Sequence, residues 1–404
     1  MSVNIKDIFE NALKNSLFKN KQVLQANYSP SSIPHREKQI QTLASILAPT
    51  LRGEKASNVF LYGKTGTGKT LSVLYVKDEL LNKAKETNSS LKIEYLNCKL
   101  KKVSDTEYRI LAALLEQFGE EVPITGLPTQ ALYSKFVEVI DSKKQIVVLI
   151  LDEIDQAVKK ISDNFLYSLL RLNSELSNAQ ISIIGISNDV TFLDNLDPRV
   201  KSSLGEEEIL FPPYNALQLQ DILRERCKEA FKENVVDDSV ISKCAALAAR
   251  EHGDARRALD LLRIAGELAE RDGKNFISIE YLDLANEKIE KDKIIDLVEN
   301  QPIQCQLVLY SIITLSKQKE NERSKAFFTG DVFNLYQQFC KKLKLEVLTQ
   351  RRVSDIIAEF DMLGIINAIV ISKGRHGRTR EIKLAIPPPV LKKVEEVLKN
   401  NLSL

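Results

Sequence analysis

A glycine-rich segment, "GKTGTGKT", combines the residue types that bind phosphate in proteins. It consists of Gly63, Lys64, Thr65, Gly66, Thr67, Gly68, Lys69 and Thr70. Glycines let the backbone bend sharply, so that its N–H groups surround an anion. Lys69 is expected to reach the β- and γ-phosphate oxygens of a nucleoside triphosphate, and the Thr70 hydroxyl to hold Mg²⁺. The alternative is a glycine-rich turn with a chance lysine, but the strand-like run before the segment (58–62) and the helix-like run after it (71–85) favour a phosphate loop.

Acidic and amide side chains follow two later apolar runs. Asp152 ends the run at 146–151 and is expected to hold Mg²⁺ through water beside Thr70, while Glu153 polarises the attacking water. A buried strand that runs into a solvated turn is the alternative, and the phosphate loop makes it the weaker one. The run "ISIIGISND" ends in Asn188, which is suited to orient that water or contact the γ-phosphate. A loop-capping asparagine is the alternative there, and the residue taken alone favours it.

An arginine at a helix start is the next candidate. In "EHGDARRALDLL" (251–262), Gly253 ends one predicted helix, Asp254 caps the next, and Arg256 falls in the first turn. A cation at a helix N-terminus opposes the helix dipole, so an anionic partner such as phosphate is expected for Arg256. Arg257 is equally well explained as a solvated surface residue.

Two groups of residues near the C-terminus are candidate DNA contacts. The first, in the first turn of a predicted helix, comprises Gln350, Arg351 and Arg352; the second, at a hairpin tip, comprises Lys373, Arg375 and Arg378. The second helix of a helix-turn-helix reads base edges with its N-terminal residues, and a basic tip suits a phosphate or minor-groove contact. Residues 341–383 contain 10 Lys/Arg against 5 Asp/Glu, in a chain whose net charge is only +2. A solvated basic loop, or a winged helix used for protein contact, is the alternative.

The elements that must position these residues fall into three regions, predicted at 1–212, 213–298 and 299–404. The first alternates strand-like and helix-like segments, which predicts a mostly parallel sheet with helices on both faces. The strand-like runs are 58–62, 91–97, 146–151 and 181–186, and the helical patterns lie near 69–85, 104–118, 129–141 and 163–177. Two prolines in "FPPYN" end this region, and an α-helical lid follows. The last region, three helices and a β-hairpin, has the element order of a winged helix-turn-helix.

Composition excludes several classes of protein. At 404 residues the chain is longer than one hydrophobic core usually grows, so two or three domains are expected. The five cysteines are scattered without C-x-x-C spacing, which is typical of reduced residues rather than disulfides or zinc ligands. No apolar run is long enough to cross a bilayer, and the N-terminus lacks the apolar core of a signal peptide. A cytoplasmic, nucleoid-associated protein with no membrane partner is therefore expected.

The order of the motifs resembles one family. GKTGTGKT, LDEID, IGISND, DPRVKSSL, PPYN and GDARRAL, followed by a winged helix, look like the archaeal origin-recognition initiators. These AAA+ ATPases are similar to the largest subunit of the eukaryotic origin recognition complex and to cell division control protein six. The resemblance covers nearly the whole chain, and "YSPSSIPHREKQI" (28–40) resembles the N-terminal segment that lies against the adenine in that family.

The resemblance implies an ATP-dependent replication initiator. ATP would lie between the sheet domain and the lid, with ADP retained after slow hydrolysis. Origin DNA would be bound by the winged helix and by a helical insertion near 104–127, and the ring-shaped replicative helicase would be recruited. Paralogous initiators would be partners on the same DNA.

The resemblance also assigns roles to single residues. Lys69 and Thr70 become the phosphate-loop pair, and Asp152 and Glu153 become the Mg²⁺ and water residues. Asn188 and Arg256 become the first and second sensors of the γ-phosphate. Tyr214 and Arg226 become nucleotide contacts at the lid, although the residues alone predict only structural roles for them.

One departure from related ATPases concerns hydrolysis. Clamp loaders and some origin-complex subunits end one loop in Ser-Arg, whose arginine reaches a neighbour's ATP site, whereas this chain has "KSSL" (201–204) there. Only Arg199 and Lys201 lie nearby, and an arginine finger contributes orders of magnitude in rate. A slow, switch-like ATPase that acts as a monomer or loose dimer on DNA is therefore expected. A clamp-loader-like remodelling ATPase and a nucleotide-responsive winged-helix transcriptional regulator remain the alternatives.

Overall fold

The sheet that carries the phosphate loop is five-stranded and parallel throughout. In a computed structural model, which describes residues 16–25, 28–99, 106–123, 127–319, 327–372 and 378–403, the chain divides into two compact units, 1–282 and 283–404. The first unit holds this sheet, in the order β2-β3-β4-β1-β5. Its strands are β1 (Val59–Tyr62), β2 (Leu91–Asn97), β3 (Ile146–Asp152), β4 (Gln180–Ser187) and β5 (Glu207–Leu210).

Strand β3, which lies between β2 and β4, shows why helices cover both faces. All seven of its residues are buried. Alternate side chains point to opposite faces of a strand, so Val147, Leu149 and Leu151 join one apolar cluster while Val148 and Ile150 join another. The helices of this part of the unit are α1 (Glu37–Leu47), α2 (Lys69–Glu86), α3 (Glu107–Gln117), α4 (Thr129–Asp141), α5 (Ile154–Ile161), α6 (Asn164–Arg171) and α7 (Pro198–Leu204). The predicted parallel sheet with helices on both faces is confirmed.

Strand register brings the carboxyl ends of the strands to one edge. Asn97 at the end of β2 pairs with Asp152, Asp152 pairs with Ile186 in β4, and Ser187 pairs with Tyr62 at the end of β1. Ligands of parallel α/β sheets bind at this edge. The phosphate loop, the acids after β3 and Asn188 therefore start from neighbouring positions.

A helical region follows the sheet. It comprises α8 (Ala216–Ala230), α9 (Asp238–Arg250), α10 (Ala255–Arg271) and α11 (Ile279–Glu299), with the division between the two units inside α11. A capping box between Asn215 and Gln218 begins α8, and Asp254 caps α10 through the N–H groups of Arg256 and Arg257. The predicted helical lid is confirmed.

The second unit is the predicted winged helix, with a short additional strand and an additional helix after the hairpin. It contains α12 (Ile303–Lys319), β6 (Phe327–Phe328), α13 (Thr329–Leu343), α14 (Gln350–Met362), β7 (Ile366–Ser372), β8 (Arg378–Leu384) and α15 (Pro388–Leu402). Its three strands form an antiparallel sheet in the order β6-β8-β7. None of the helices in the described ranges is long and apolar enough to cross a membrane.

Several short elements were not predicted from the sequence. β5 buries only Ile209, so its sequence carries little strand signal, and α5 begins directly after Glu153, with no loop to separate it from β3. α7 and β6 are short and were also missed, as was α15, although it buries Val390, Val394, Leu398 and Leu402 along one side. α3 begins at Glu107, three residues later than the predicted 104, whereas residues 104 and 105 lie outside the described ranges.

Candidate functional site

A pocket with an empty volume of about 960 Å³ opens at the carboxyl edge of the first sheet. The phosphate loop, the ends of β3 and β4, the N-terminal segment around Ile33, and the helices α8 and α10 all line it. Of the predicted site residues, it brings together Thr65, Gly66, Thr67, Gly68, Lys69, Thr70, Asp152, Glu153, Asn188, Tyr214, Arg226 and Arg256.

The loop requires its glycines. Gly63, Gly66 and Gly68 have φ values of 152°, 71° and 90°, which residues with a Cβ rarely adopt. A Cβ at Gly63 would lie 2.3 Å from the carbonyl oxygen of Phe211, and one at Gly66 would lie 1.7 Å from a carboxylate oxygen of Asp254. The loop therefore passes too close to its neighbours for any side chain at these two positions.

The N-terminus of α2 is open towards the pocket. Helix α2 begins at Lys69, and Gly68 at the N-cap provides no side-chain acceptor for the first N–H groups. Such N–H groups, at the positive end of the helix dipole, form an anion site. The Thr67 hydroxyl is engaged within the loop, because it donates to the carbonyl of Lys64 at 2.8 Å. Lys64 itself is exposed, with Nζ 3.4 Å from a ring nitrogen of His252.

Lys69 is buried with its ammonium held by loop carbonyls. Its Nζ donates to the carbonyl oxygens of Gly63 (2.7 Å) and Lys64 (2.8 Å) and to Oδ1 of Asn188 (2.9 Å). Burial lowers the pKa of Lys69 to about 8, although the nearby carboxylate of Asp152 acts in the opposite direction. A phosphate would give this desolvated ammonium a fully charged partner.

The carboxylate of Asp152 lies beside the Thr70 hydroxyl. Thr70 Oγ1 donates to Oδ2 of Asp152 at 2.9 Å, and the Tyr95 hydroxyl donates to the same oxygen at 2.7 Å. The backbone N–H of Glu153 donates to the other carboxylate oxygen at 2.9 Å. A hydroxyl and a carboxylate are the oxygen ligands that Mg²⁺ prefers, so this pair fits the predicted metal position.

Glu153 has an unusual backbone and an ion-pair partner. Its φ of 53° turns the chain from β3 into α5. Oε2 of its side chain lies 3.3 Å from Nζ of Lys99, which is largely exposed. Glu153 lines the pocket, and its second carboxylate oxygen is available to polarise a water.

The lid contributes two arginines to the pocket. Arg226 is buried, and its Nη1 has no hydrogen-bond partner among the residues that the structure describes. The guanidinium lies 4.9 Å from the centre of the Tyr28 ring. Burial lowers the pKa of Arg226, and an anionic ligand would satisfy the orphaned donor. Arg256 lines the pocket with an exposed side chain, whereas Arg257 pairs with Glu251, Nε to Oε2, at 3.3 Å.

Tyr214 packs behind the loop. It is buried, and a Cβ at Gly68 would lie 2.9 Å from its hydroxyl oxygen. Burial raises the pKa of Tyr214, so the phenol stays protonated. The structure therefore places Tyr214 against the loop at the start of the lid.

Tyr95 and Lys99 contact predicted site residues, although neither stands in a motif of the sequence. Tyr95 lies two residues before the end of β2, and Lys99 lies two residues after it. Their signal is the strand order, since β2 is the direct neighbour of β3 and places its C-terminal end beside Asp152. Sequence alone does not give that order.

The two cations considered for action on a neighbouring molecule are occupied within their own chain. Nε and a terminal nitrogen of Arg199 each donate to Asp197 at 3.0 Å, and its guanidinium lies 4.7 Å from the centre of the Tyr167 ring. Nζ of Lys201 donates to Asp194 at 2.7 Å.

The predicted recognition helix, α14, presents its basic residues to solvent. Thr349 caps it by accepting from the N–H of Arg352, and Gln350, Arg351 and Arg352 are exposed in its first turn. The opposite side of α14 is buried through Val353, Ile356, Ile357 and Phe360. The hydrophobic core of the second unit thus fixes which side of the helix is exposed.

The wing, defined as β7, β8 and the residues between them, is tied to α14. A terminal nitrogen of Arg380 donates to the carbonyl oxygen (2.6 Å) and the hydroxyl (2.8 Å) of Ser354. Lys373 and Arg375, predicted at the wing tip, lie outside the described residues, and only the backbone of Arg378 is described, paired with Ser372.

Three family models match the chain. They describe an AAA domain at residues 52–190, a Cdc6 AAA+ ATPase-type lid domain at 220–287, and a CDC6 C-terminal winged helix domain at 296–394.

The chain is similar to known proteins over nearly its whole length. The ORC1-type DNA replication protein of Thermococcus kodakarensis is 52% identical over 96% of this chain and 94% of that protein. The protein of the same description from Pyrococcus horikoshii is 50% identical over 97% of this chain and 93% of that protein. The structure of the Aeropyrum pernix ORC1 protein in complex with DNA is 43% identical, with a TM-score of 0.82 and coverage of 95% of this chain and 97% of that one.

Proposed function

We propose that this chain, which belongs to the ORC1-type DNA replication proteins, binds origin DNA. The conformation in which it binds would depend on the nucleotide held by its phosphate loop. The supporting observation is that one chain carries both a pocket with phosphate-binding geometry and a capped helix with an exposed basic first turn. The first suits a nucleotide and the second suits duplex DNA.

ATP and ADP are the proposed ligands, with Mg²⁺. The loop N–H groups and Lys69 would bind the phosphates, and Arg226 would use its orphaned donor on the nucleotide. Thr70 and Asp152 would hold Mg²⁺, which neutralises charge on the phosphate oxygens when it is bound. Tyr214 would support the loop from behind.

Hydrolysis would rely on residues of this chain. Glu153 would polarise the attacking water, while Asn188 and Arg256 would contact the γ-phosphate. The in-chain partners of Arg199 and Lys201 argue against help from a neighbouring molecule. Slow turnover with retained ADP is part of this proposal, so that hydrolysis would serve as a switch.

Origin duplex DNA is the proposed macromolecular ligand. Arg351 and its neighbours at the start of α14 would reach base edges in the major groove, and the wing tip would contact the backbone or minor groove. An additional contact would come from the insertion that contains α3. DNA held in this way would be the platform for the replicative helicase and for paralogous initiators.

A binding-site survey tests the proposal. The purified protein, loaded with ADP or a non-hydrolysable ATP analogue, is mixed with fragmented genomic DNA from its source organism, and the retained fragments are sequenced. We expect a few intergenic loci with repeated sites, and we expect Arg351→Ala to lose that preference. Enrichment of many promoters among the retained fragments would favour a transcriptional regulator over an initiator. The absence of any sequence preference would favour a remodelling ATPase.

A second measurement tests the proposed binding of ATP and ADP to the phosphate loop. Lys69→Ala is expected to abolish ADP and ATP binding, whereas Lys64→Ala is the matched control, because Lys64 is the exposed lysine of the same loop. Full affinity in the Lys69 variant would refute the phosphate-loop assignment.

A further inference from the structure

Arg36, the residue before α1, is a buried cation without a carboxylate partner. Its side chain is 1% exposed, and it forms no salt bridge with any residue that the structure describes. Desolvated charges are costly and are normally paired. An apolar side chain would fill the same space at lower cost, so the burial of a guanidinium points to a requirement for its donors.

The guanidinium joins three separate segments. Nε donates to the carbonyl of Thr67 in the phosphate loop at 2.8 Å, and one terminal nitrogen donates to the carbonyl of Pro212 at 2.6 Å. The other terminal nitrogen donates to His35 at 3.1 Å. The planar group is 3.8 Å from the centre of the Tyr214 ring, which fixes its orientation.

Pro212 belongs to the segment 211–215, which links β5 to α8 and which we call the hinge. Two backbone hydrogen bonds connect the hinge and the loop to the lid: Tyr214 N–H donates to Gly253 at 3.3 Å, and Ala255 N–H donates to Gly66 at 3.2 Å. A shift of Pro212 therefore acts on the segment from which the lid extends.

Arg36 also lies directly behind the anion site. A Cβ at Gly68 would be 3.7 Å from Cγ and 3.8 Å from Nε of Arg36. Arg36 itself does not line the pocket, so its influence on a ligand passes through Thr67, Gly68 and the hinge.

We propose that Arg36 is a positioning residue that transmits occupancy of the phosphate loop to the hinge. Phosphate binding rearranges the loop at Thr67, and the rigid guanidinium carries that displacement to the carbonyl of Pro212, which biases the lid. Lysine cannot replace it, because a single ammonium lacks the planar fork that spans both carbonyls. The inference depends on the proposed nucleotide binding.

Hydrogen exchange with and without ADP tests the coupling. In the wild type, saturating ADP is expected to slow amide exchange in peptides from the loop (60–70) and from the hinge with the first turn of α8 (211–219), which ends before the pocket-lining residues of that helix. In Arg36→Lys, the loop response is expected to persist, while the ADP-induced slowing in the hinge falls by about tenfold or more, as expected for loss of a hydrogen bond from a charged group. Arg52→Lys is the matched control, because Arg52 is an exposed arginine paired with Glu54.

The outcomes separate this inference from the proposed function. Absence of ADP binding in the wild type would refute the proposed function. ADP binding with a wild-type hinge response in Arg36→Lys would overturn the inference and leave the function intact. If that variant fails to fold, Arg36→Gln is the second variant. The wild type alone also tests the inference. If ADP slowed amide exchange in the loop but not in the hinge, the loop and the hinge would not be coupled and the inference would be wrong.

Discussion

Single side chains set the chemistry of the nucleotide site, and Lys69 is the clearest case. The pocket removes water from its ammonium but offers it only carbonyl and amide oxygens. This loss of water lowers the pKa of Lys69 to about 8, against the usual 10.5. A bound phosphate would stabilise the charged ammonium, so phosphate binding and protonation of Lys69 are linked.

That linkage predicts a pH dependence for ADP binding. Between pH 8 and 10.5 the folded apo-protein binds fewer protons at Lys69 than the unfolded chain, so the free energy of unfolding rises with pH there. ADP restores the charged form, so its affinity should be about tenfold weaker at pH 9 than at pH 7. Calorimetry in EDTA, in buffers of different ionisation enthalpy, should show uptake of nearly one proton at pH 9 and almost none at pH 7. Lys64→Ala should leave this uptake unchanged, and equal affinities at the two pH values would contradict the prediction.

Tyr95 is a residue whose role is only visible in the folded chain. Its hydroxyl shares Oδ2 of Asp152 with Thr70, and burial raises its pKa, so it remains a donor at working pH. Tyr95→Phe removes one hydrogen bond to a charged group, which typically contributes about 1.5–3 kcal/mol.

We therefore expect Tyr95→Phe to raise the Mg²⁺ concentration needed for half-maximal binding of an ATP analogue by severalfold. Binding of ADP in EDTA should be unchanged, because the metal position is not used there. Tyr75→Phe, at an exposed tyrosine of α2, is the control. An unaltered Mg²⁺ titration would mean that Asp152 is held in place without Tyr95.

Among the helices and strands, α14 shows how a buried side fixes the orientation of the exposed side, which carries Arg351. Val353, Ile356, Ile357 and Phe360 anchor the helix in the core, and Arg380 ties the wing to it through Ser354. Arg351 is thereby presented from a rigid support, as direct base readout requires.

Substitution of Arg351 should change specificity more than general affinity. Arg351→Ala is expected to cost about 1–3 kcal/mol at the preferred site and little on random duplex. Competition binding at fixed salt measures both, and Lys392→Ala, at an exposed lysine of α15, is the control. Equal losses on specific and random DNA would reassign Arg351 to a phosphate contact.

The elements also show how far sequence reasoning extends. The long periodic segments and the phosphate loop were predictable, because hydrophobic spacing and glycine requirements are local properties. β5 and α5 were not, since the first buries a single residue and the second is a short helix separated from β3 only by Glu153. Tyr95 and Arg36 were missed for a different reason: their partners, Asp152 and Pro212, are distant in sequence and become neighbours only in the folded chain.

For the molecule as a unit, the contacts of Arg199 and Lys201 bear on whether ATP turnover needs a second copy of the chain. These two cations are the ones in the sequence that lie near the position of an arginine finger. Two hydrogen bonds to Asp197 and the Tyr167 ring hold Arg199 at an exposed position, so any action in trans would first have to break these contacts. An arginine that works as a finger gives rate gains of about 10³–10⁵.

We therefore expect ATP turnover per molecule to be independent of protein concentration and unchanged, within about twofold, in Arg199→Ala. Glu153→Gln should bind ATP normally and abolish turnover, because it keeps the shape of the side chain while removing the carboxylate that polarises water. Single-turnover hydrolysis over a hundredfold range of protein concentration, with and without duplex DNA, measures both. A steep rise in rate with concentration that disappears in Arg199→Ala would show that the catalytic unit is an assembly. It would also make the in-chain contacts of Arg199 a resting state, and the slow switch would then depend on whether that assembly forms on DNA.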